Sequence, residues 1–218
     1  MTWYIKFGYD QNPLSIKPNE DYDLFFDEKN VVDDVLDVIS EGGNLVIKGP
    51  LGTGKTSILK QIIYRFGGHK KIYYYNAYSA STPLDFDRVI KRAGNVFSRL
   101  FGVRTRDVVL FIDEAQHLNE ENIEELNEYL PDYFRSVVLA SSASEYKVPK
   151  VLEDYFEKEI NTANFTESDA FNIVNDRFDD EYEEIVSKEE VKECYNRSKT
   201  PREFLLELEE LCKNKHDN

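Results

Sequence analysis

The stretch GPLGTGKTS, residues 49–57, constrains this chain most, because it sets three glycines directly ahead of Lys55, Thr56 and Ser57. It fits G-x-x-x-x-G-K-[ST], with Gly49, Gly54, Lys55 and Thr56 at the required offsets. Gly49, Gly52 and Gly54 lack a Cβ, so the loop can take positive φ angles and turn its backbone N–H groups toward one point. Such a nest of amides holds an anion. A helix opening at Lys55 adds the partial positive charge of its N-terminus, and the lysine ammonium can reach the outer phosphates. Gly49, Pro50, Leu51, Gly52, Thr53, Gly54, Lys55, Thr56 and Ser57 are therefore predicted to wrap a polyphosphate, with the Thr56 hydroxyl offered to Mg²⁺.

The flanking residues supply the strand and helix that such a loop needs. NLVIK, residues 44–48, is a short apolar run bounded by Gly42-Gly43 and Gly49, which predicts a buried parallel strand. After the loop, Ile58, Leu59, Ile62, Ile63 and Phe66 recur at helical spacing before Gly67-Gly68.

A second decisive run is VVLFIDEAQHL, residues 108–118, five apolar residues ending in Asp113-Glu114. A buried parallel strand delivers its last carboxylate to the sheet edge where α/β proteins bind ligands. Asp113 is thus predicted to hold Mg²⁺ with Thr56. Glu114 is predicted to act on the water that attacks a γ-phosphate. A further apolar strand, SVVLA, runs into Ser141 and Ser142; Ser142, or Ser141 beside it, is predicted to hydrogen-bond that water or the γ-phosphate.

The remaining chain reads as follows. FGYDQNPLSIKPNEDYDLFF predicts an ordered arm lying on the core, Asn30 is expected to cap a helix running to Ser40, and residues 71–78 predict a second strand. A helix over residues 84–101 follows. From Phe165 onward only helices are expected, roughly 167–178, 188–196 and 201–213, opened by the capping-box pairs Thr166/Asp169, Ser187/Glu190 and Thr200/Glu203. Arg202 sits in the first turn of the last helix, where a cation is misplaced unless an anion lies opposite.

Composition limits the setting. The 218 residues are 41% hydrophobic, enough for one large domain or a core with a small second unit. Two cysteines, Cys194 and Cys212, are too few for a disulfide framework or zinc cluster. No apolar run reaches the length of a membrane span and the N-terminus lacks the apolar core of a signal peptide, so a cytoplasmic protein is expected. A formal net charge of −15 excludes a surface that binds nucleic acid everywhere. Residues 88–106 are the exception: Arg88, Lys91, Arg92, Arg99, Arg104 and Arg106 stand there without an acidic residue, a local contact surface for nucleic acid or an acidic protein.

These motifs resemble those of the AAA+ P-loop ATPases: GPLGTGKT as Walker A, VVLFIDE as Walker B, Ser141-Ser142 as sensor 1, and TPRE with Arg202 as sensor 2. Within that superfamily, the arm, IDEAQHL and SKTPREF are most similar to archaeal origin-recognition-type and bacterial secretion- or transposition-helper (ExeA-like) ATPases. The resemblance implies an α/β P-loop NTPase fold with a parallel five-stranded sheet flanked by helices, plus a small C-terminal all-helical lid. It implies residues 1–163 as the nucleotide-binding core with its arm and 164–218 as the lid. It further implies ATP and Mg²⁺ as ligands, Glu114, Lys55, Ser142 and Arg202 as catalytic residues, and a switch or motor acting on a nucleic-acid or protein partner, possible as an oligomer. An ATP-binding regulatory module with little hydrolysis, or a P-loop kinase, is the alternative. The chain departs from the family by having no arginine between Arg135 and Arg177, where a trans-acting arginine is expected, so hydrolysis by the protein alone is expected to be slow.

Overall fold

Every residue of one strand, Val108–Asp113 (β3), is buried, and two of the three hydrophobic clusters are built on its two faces. The structure, a computed structural model, describes residues 2–17, 28–65, 72–80, 82–93, 108–143, 145–162, 165–178 and 182–216, with backbone alone at 28–30 and 92–93. Asn44–Lys48 (β1), Ile72–Asn76 (β2), β3, Phe134–Ser141 (β4) and Phe156–Asn161 (β5) form one sheet in the order β2-β3-β4-β1-β5. All neighbouring pairs are parallel.

The pleat divides the core. Val109 and Phe111 of β3 join Leu45, Ile47, Val138 and Ala140 on one face, covered by Val32, Val35 and Ile39 of Glu28–Glu41 (α1) and Ile58, Leu59 and Ile62 of Lys55–Arg65 (α2). Val108, Leu110 and Ile112 join Val46, Val137 and Leu139 on the other, under Phe86 and Val89 of Phe86–Ala93 (α3) and Leu126 and Leu130 of Glu120–Tyr133 (α4). Each such Val, Leu, Ile or Phe side chain contributes roughly 1.5–3 kcal/mol relative to exposure.

Several expectations shift here. α1 begins at Glu28, so Asn30 lies inside its first turn and does not cap it. α3 begins at Phe86, not Leu84, because Asp85 accepts the Arg88 N–H at 2.8 Å and so fixes the helix start. Its expected continuation to Phe101 lies outside the described residues, as do Arg99, Arg104, Arg106 and the side chain of Arg92. Of the basic stretch, Arg88 and Lys91 are exposed, and Lys91 pairs with Asp87 at 3.4 Å. α4 and β5 carry no separate expectation from residue pattern. β5 is an edge strand whose Phe156, Lys158 and Ile160 alternate with exposed Glu157, Glu159 and Asn161.

Glu167–Phe178 (α5), Lys188–Arg197 (α6) and Pro201–His216 (α7) match the expected C-terminal helices. Two caps follow from the sequence: Ser187 and Glu190 form a full capping box, and Thr166 and Asp169 bond reciprocally. At α7 the expected box is half formed, since Thr200 Oγ accepts the Glu203 N–H at 3.2 Å while the Glu203 carboxylate accepts the Lys199 N–H at 2.7 Å. The arm packs here. Trp3 and Leu14 are buried among Ile173, Val174, Phe178, Phe204 and Leu208 rather than in either sheet cluster, and Arg177 donates to the carbonyls of Pro13 and Ser15 at 2.7 and 3.2 Å.

Candidate functional site

β4 lies between β1 and β3, so the loop leaving β1, the serines ending β4 and the carboxylates ending β3 meet at one edge of the sheet. The loop from Gly49 to Gly54 links β1 to α2, and Gly52 and Gly54 take φ of 88° and 89°, conformations a side chain resists. A cleft is lined there by Leu51, Gly52, Gly54, Lys55, Thr56, Ser57 and Glu114, and from the other side by Ile16, Arg177, Pro201, Arg202 and Leu205. Pro50 and Leu51 are exposed on the loop while Thr53 is buried beneath it, its hydroxyl 2.7 Å from that of Thr162 and 2.9 Å from the Pro50 carbonyl.

Lys55 is 5% exposed, and its ammonium donates to the carbonyls of Gly49 and Pro50 at 2.7 and 2.8 Å. Burial lowers its pKa, against the attraction of Glu114 and Asp113. Thr56 donates its hydroxyl proton to Asp113 Oδ2 at 2.7 Å. Asp113 is 1% exposed, and a carboxylate so deep requires several donors. It has them: Tyr74 Oη at 2.9 Å and Asn76 Nδ2 at 3.4 Å on Oδ2, and the Glu114 N–H at 3.0 Å on Oδ1. Burial and the neighbouring Asp113 raise the Tyr74 pKa, which keeps that hydroxyl a donor.

The Glu114 carboxylate accepts from Ser142 Oγ and Gln116 Nε2, both at 2.5 Å, and Ser141 Oγ donates to Gln116 Oε1 at 2.8 Å. On the far side, Arg202 is exposed, has no ion-pair partner among the described residues, and its backbone N–H donates to the Gly52 carbonyl at 3.3 Å. The start of α7 is thereby docked on the loop. A Cβ on Gly52 would stand 2.7 Å from that of Arg202.

The structure thus gathers Lys55, Thr56, Asp113, Glu114, Ser142 and Arg202 around one cleft. Thr56 and Asp113 present hard oxygen donors side by side, which fits a Mg²⁺ held by one or two protein ligands together with phosphate oxygens. Among the described residues no cluster of three or more His, Cys, Asp or Glu offers a separate metal cage. Residue pattern did not single out Tyr74, Asn76, Gln116, Arg177 or Ile16 as site residues. Asn76 stands opposite Asp113 in the β2–β3 register, a neighbourhood created by strand pairing and not by sequence proximity.

A family model described as an AAA domain matches residues 41–168. The chain belongs to that family, the AAA+ P-loop ATPases. Among curated proteins, the Holliday junction branch migration complex subunit RuvB of Clostridium kluyveri is 36% identical over 101 residues, which is 46% of this chain and 25% of that protein. The chain therefore aligns with about a quarter of that relative. Among solved structures, the Thermotoga maritima RuvB Holliday junction branch migration motor superposes with a TM-score of 0.64 at 18% identity, over 93% of this chain and 66% of that one. The Aeropyrum pernix Orc1 protein in complex with DNA gives 0.65 at 16% identity, over 94% and 65%. The Walker-type ATPase of Pyrococcus abyssi gives 0.63 at 13% identity, over 94% and 72%. At these identities the structural likenesses speak to the fold. No helix among the described residues of this AAA+ protein is long and apolar enough to cross a membrane.

Proposed function

We propose that this AAA+ protein is a Mg²⁺-dependent ATPase that uses ATP binding and hydrolysis as a switch or motor on a nucleic-acid or protein partner. The observation that carries the reading is the convergence on one cleft of a buried lysine, a hydroxyl–carboxylate pair, a second carboxylate gripped by Ser142, and an arginine without an ion-pair partner among the described residues. In this reading the loop amides and Lys55 bind the β- and γ-phosphates, and Arg202 meets the γ-phosphate from the start of α7. Thr56 and Asp113 hold Mg²⁺, which when bound neutralises charge on the phosphate oxygens. Glu114 accepts a proton from the attacking water as the water oxygen bonds to the γ-phosphorus and the bond to the β–γ bridging oxygen breaks. The products are ADP and inorganic phosphate. Ser142, bonded to Glu114, reports the state of the γ-phosphate.

Residues 1–163 serve as the nucleotide-binding core with its arm, and 164–218 as a lid. Trp3 and Leu14, seated among the lid helices, link the two. A nucleic-acid partner draws support from RuvB, named for Holliday junctions, and from Orc1, captured with DNA. Its contact surface would be Arg88, Lys91, Arg92, Arg99, Arg104 and Arg106. A second reading, an ATP-binding regulatory module with little turnover, is favoured by the lack of an arginine between Arg135 and Arg177.

Lys55→Ala and Glu114→Gln test the proposal together. Calorimetry with Mg²⁺ is expected to show severe loss of ATP affinity in the first and retained affinity without turnover in the second. Wild-type affinity in Lys55→Ala would refute the phosphate-loop role. Transfer of the γ-phosphate to an acceptor instead of water would favour a kinase.

A further inference from the structure

Gln116 has no part in the mechanism above, although its carboxamide makes four hydrogen bonds at the edge of the cleft. Its position follows from an unusual backbone. Glu114 adopts φ 53° and ψ 43°, and it is the one non-glycine residue with positive φ among the described residues. A side-chain-bearing residue is kept there only where its surroundings over-determine it, a circumstance concentrated at functional sites. The resulting turn, closed by the His117 N–H on the Glu114 carbonyl at 2.9 Å, opens the short helix Ala115–His117 and brings Gln116 back beside Glu114.

The bonding pattern fixes the amide in one orientation. Gln116 Oε1 accepts from Ser141 Oγ at 2.8 Å and from the Ser142 N–H at 3.3 Å. Gln116 Nε2 donates to Glu114 Oε2 at 2.5 Å and to Ser142 Oγ at 2.8 Å, while the Ser142 hydroxyl proton goes to Glu114 Oε2 at 2.5 Å. Each hydroxyl donates once, the amide donates twice, and every acceptor is a lone pair. Glu114 Oε2 is thus held by two donors, and Oε1 has no hydrogen-bond partner among the described residues.

We propose that Gln116 is a positioning residue for Glu114, tying Oε2 to the end of β4 and leaving Oε1 as the oxygen presented to the attacking water. The inference rests on the reading of Glu114 as the group that receives the water's proton. Gln116 acts in this proposal only through its bonds to Glu114, Ser141 and Ser142. A side chain of equal length without hydrogen-bonding capacity would fill the space and release the carboxylate.

The test is single-turnover ATP hydrolysis by the full chain with Mg²⁺, comparing wild type, Gln116→Met, Glu114→Gln and the double variant, with ATP affinity and melting temperature measured alongside. Gln116→Met is expected to slow the chemical step, by up to about 100-fold as for other small misplacements of a reacting group, with affinity and melting temperature unchanged. In the Glu114→Gln background it is expected to leave the residual single-turnover rate, followed over long incubation at enzyme excess, unchanged, because the group it acts through is already gone. Gln116→Ala repeats the comparison if the methionine variant does not fold. A wild-type rate in Gln116→Met, or an equal slowing in both backgrounds, would overturn the positioning role while leaving Glu114 in place. A wild-type rate in Glu114→Gln would instead remove the reading beneath it.

Discussion

Single side chains at this site are held by more partners than packing requires. Lys55 is surrounded by loop carbonyls, so its ammonium is pre-oriented, and the burial that lowers its pKa also shields the interaction from water. Gly52 meets two demands: its φ of 88° suits only glycine, and its missing side chain lets Arg202 approach. Gly52→Ala is therefore expected to lower stability by about 1–2 kcal/mol from backbone strain alone. It is also expected to weaken ATP binding, by separating the start of α7 from the loop. Thermal melting and nucleotide titration check the two effects. An unchanged melting temperature with unchanged affinity would mean that the loop and α7 do not meet as described.

At the scale of elements, the C-terminal helices carry a measurable signature. Cys194 on α6 and Cys212 on α7 are buried, and burial pushes their thiols up from an ordinary 9.0 to about 11 and about 12. A thiol whose folded pKa is raised favours the folded state only while the unfolded chain is also protonated. Stability is thus expected to fall as pH rises from about 9 toward 11. Thiol-reagent labelling at pH 8 is expected to be slow and to speed up in Trp3→Ala, which empties a fully buried site among these helices at a cost of roughly 3–5 kcal/mol. Rapid labelling of the wild type would contradict the burial. The sequence made these helices legible because their caps and apolar spacing are local. β1 and β3 were legible because buried parallel strands are continuous apolar runs. β5 escaped notice because FEKEIN sits at the sheet edge and needs apolar residues on one side alone. α4 escaped because its acid-rich sequence carries Pro131 near its end. Loop and carboxylates were readable from spacing, whereas the donors around Asp113 and Glu114 come from strand register and a left-handed turn that no spacing encodes.

At the scale of the whole molecule, a chain of net charge −15 that would act on a nucleic acid must do so through a confined surface. DNA binding is expected to weaken steeply with salt and with Arg88→Glu plus Arg92→Glu; equal binding by that variant would exclude the basic stretch. The cleft draws its residues from every part of the chain, with Ile16 from the arm, Lys55 and Glu114 from the sheet edge, and Arg202 from α7. Between β4 and α5 the chain offers Lys147, Lys150 and Lys158 and no arginine, and a lysine lacks the planar fork that spans two phosphate oxygens. A supplied arginine is worth about 10³–10⁵ in rate in related nucleotide hydrolases, so hydrolysis by the protein alone is expected to be slow. The most direct test is release of inorganic phosphate from ATP by the purified chain with and without Mg²⁺, beside Glu114→Gln. The account predicts slow, Mg²⁺-dependent release that disappears in Glu114→Gln while ATP affinity persists; release that is equal in both proteins, or absent from a wild type that binds ATP, would contradict it.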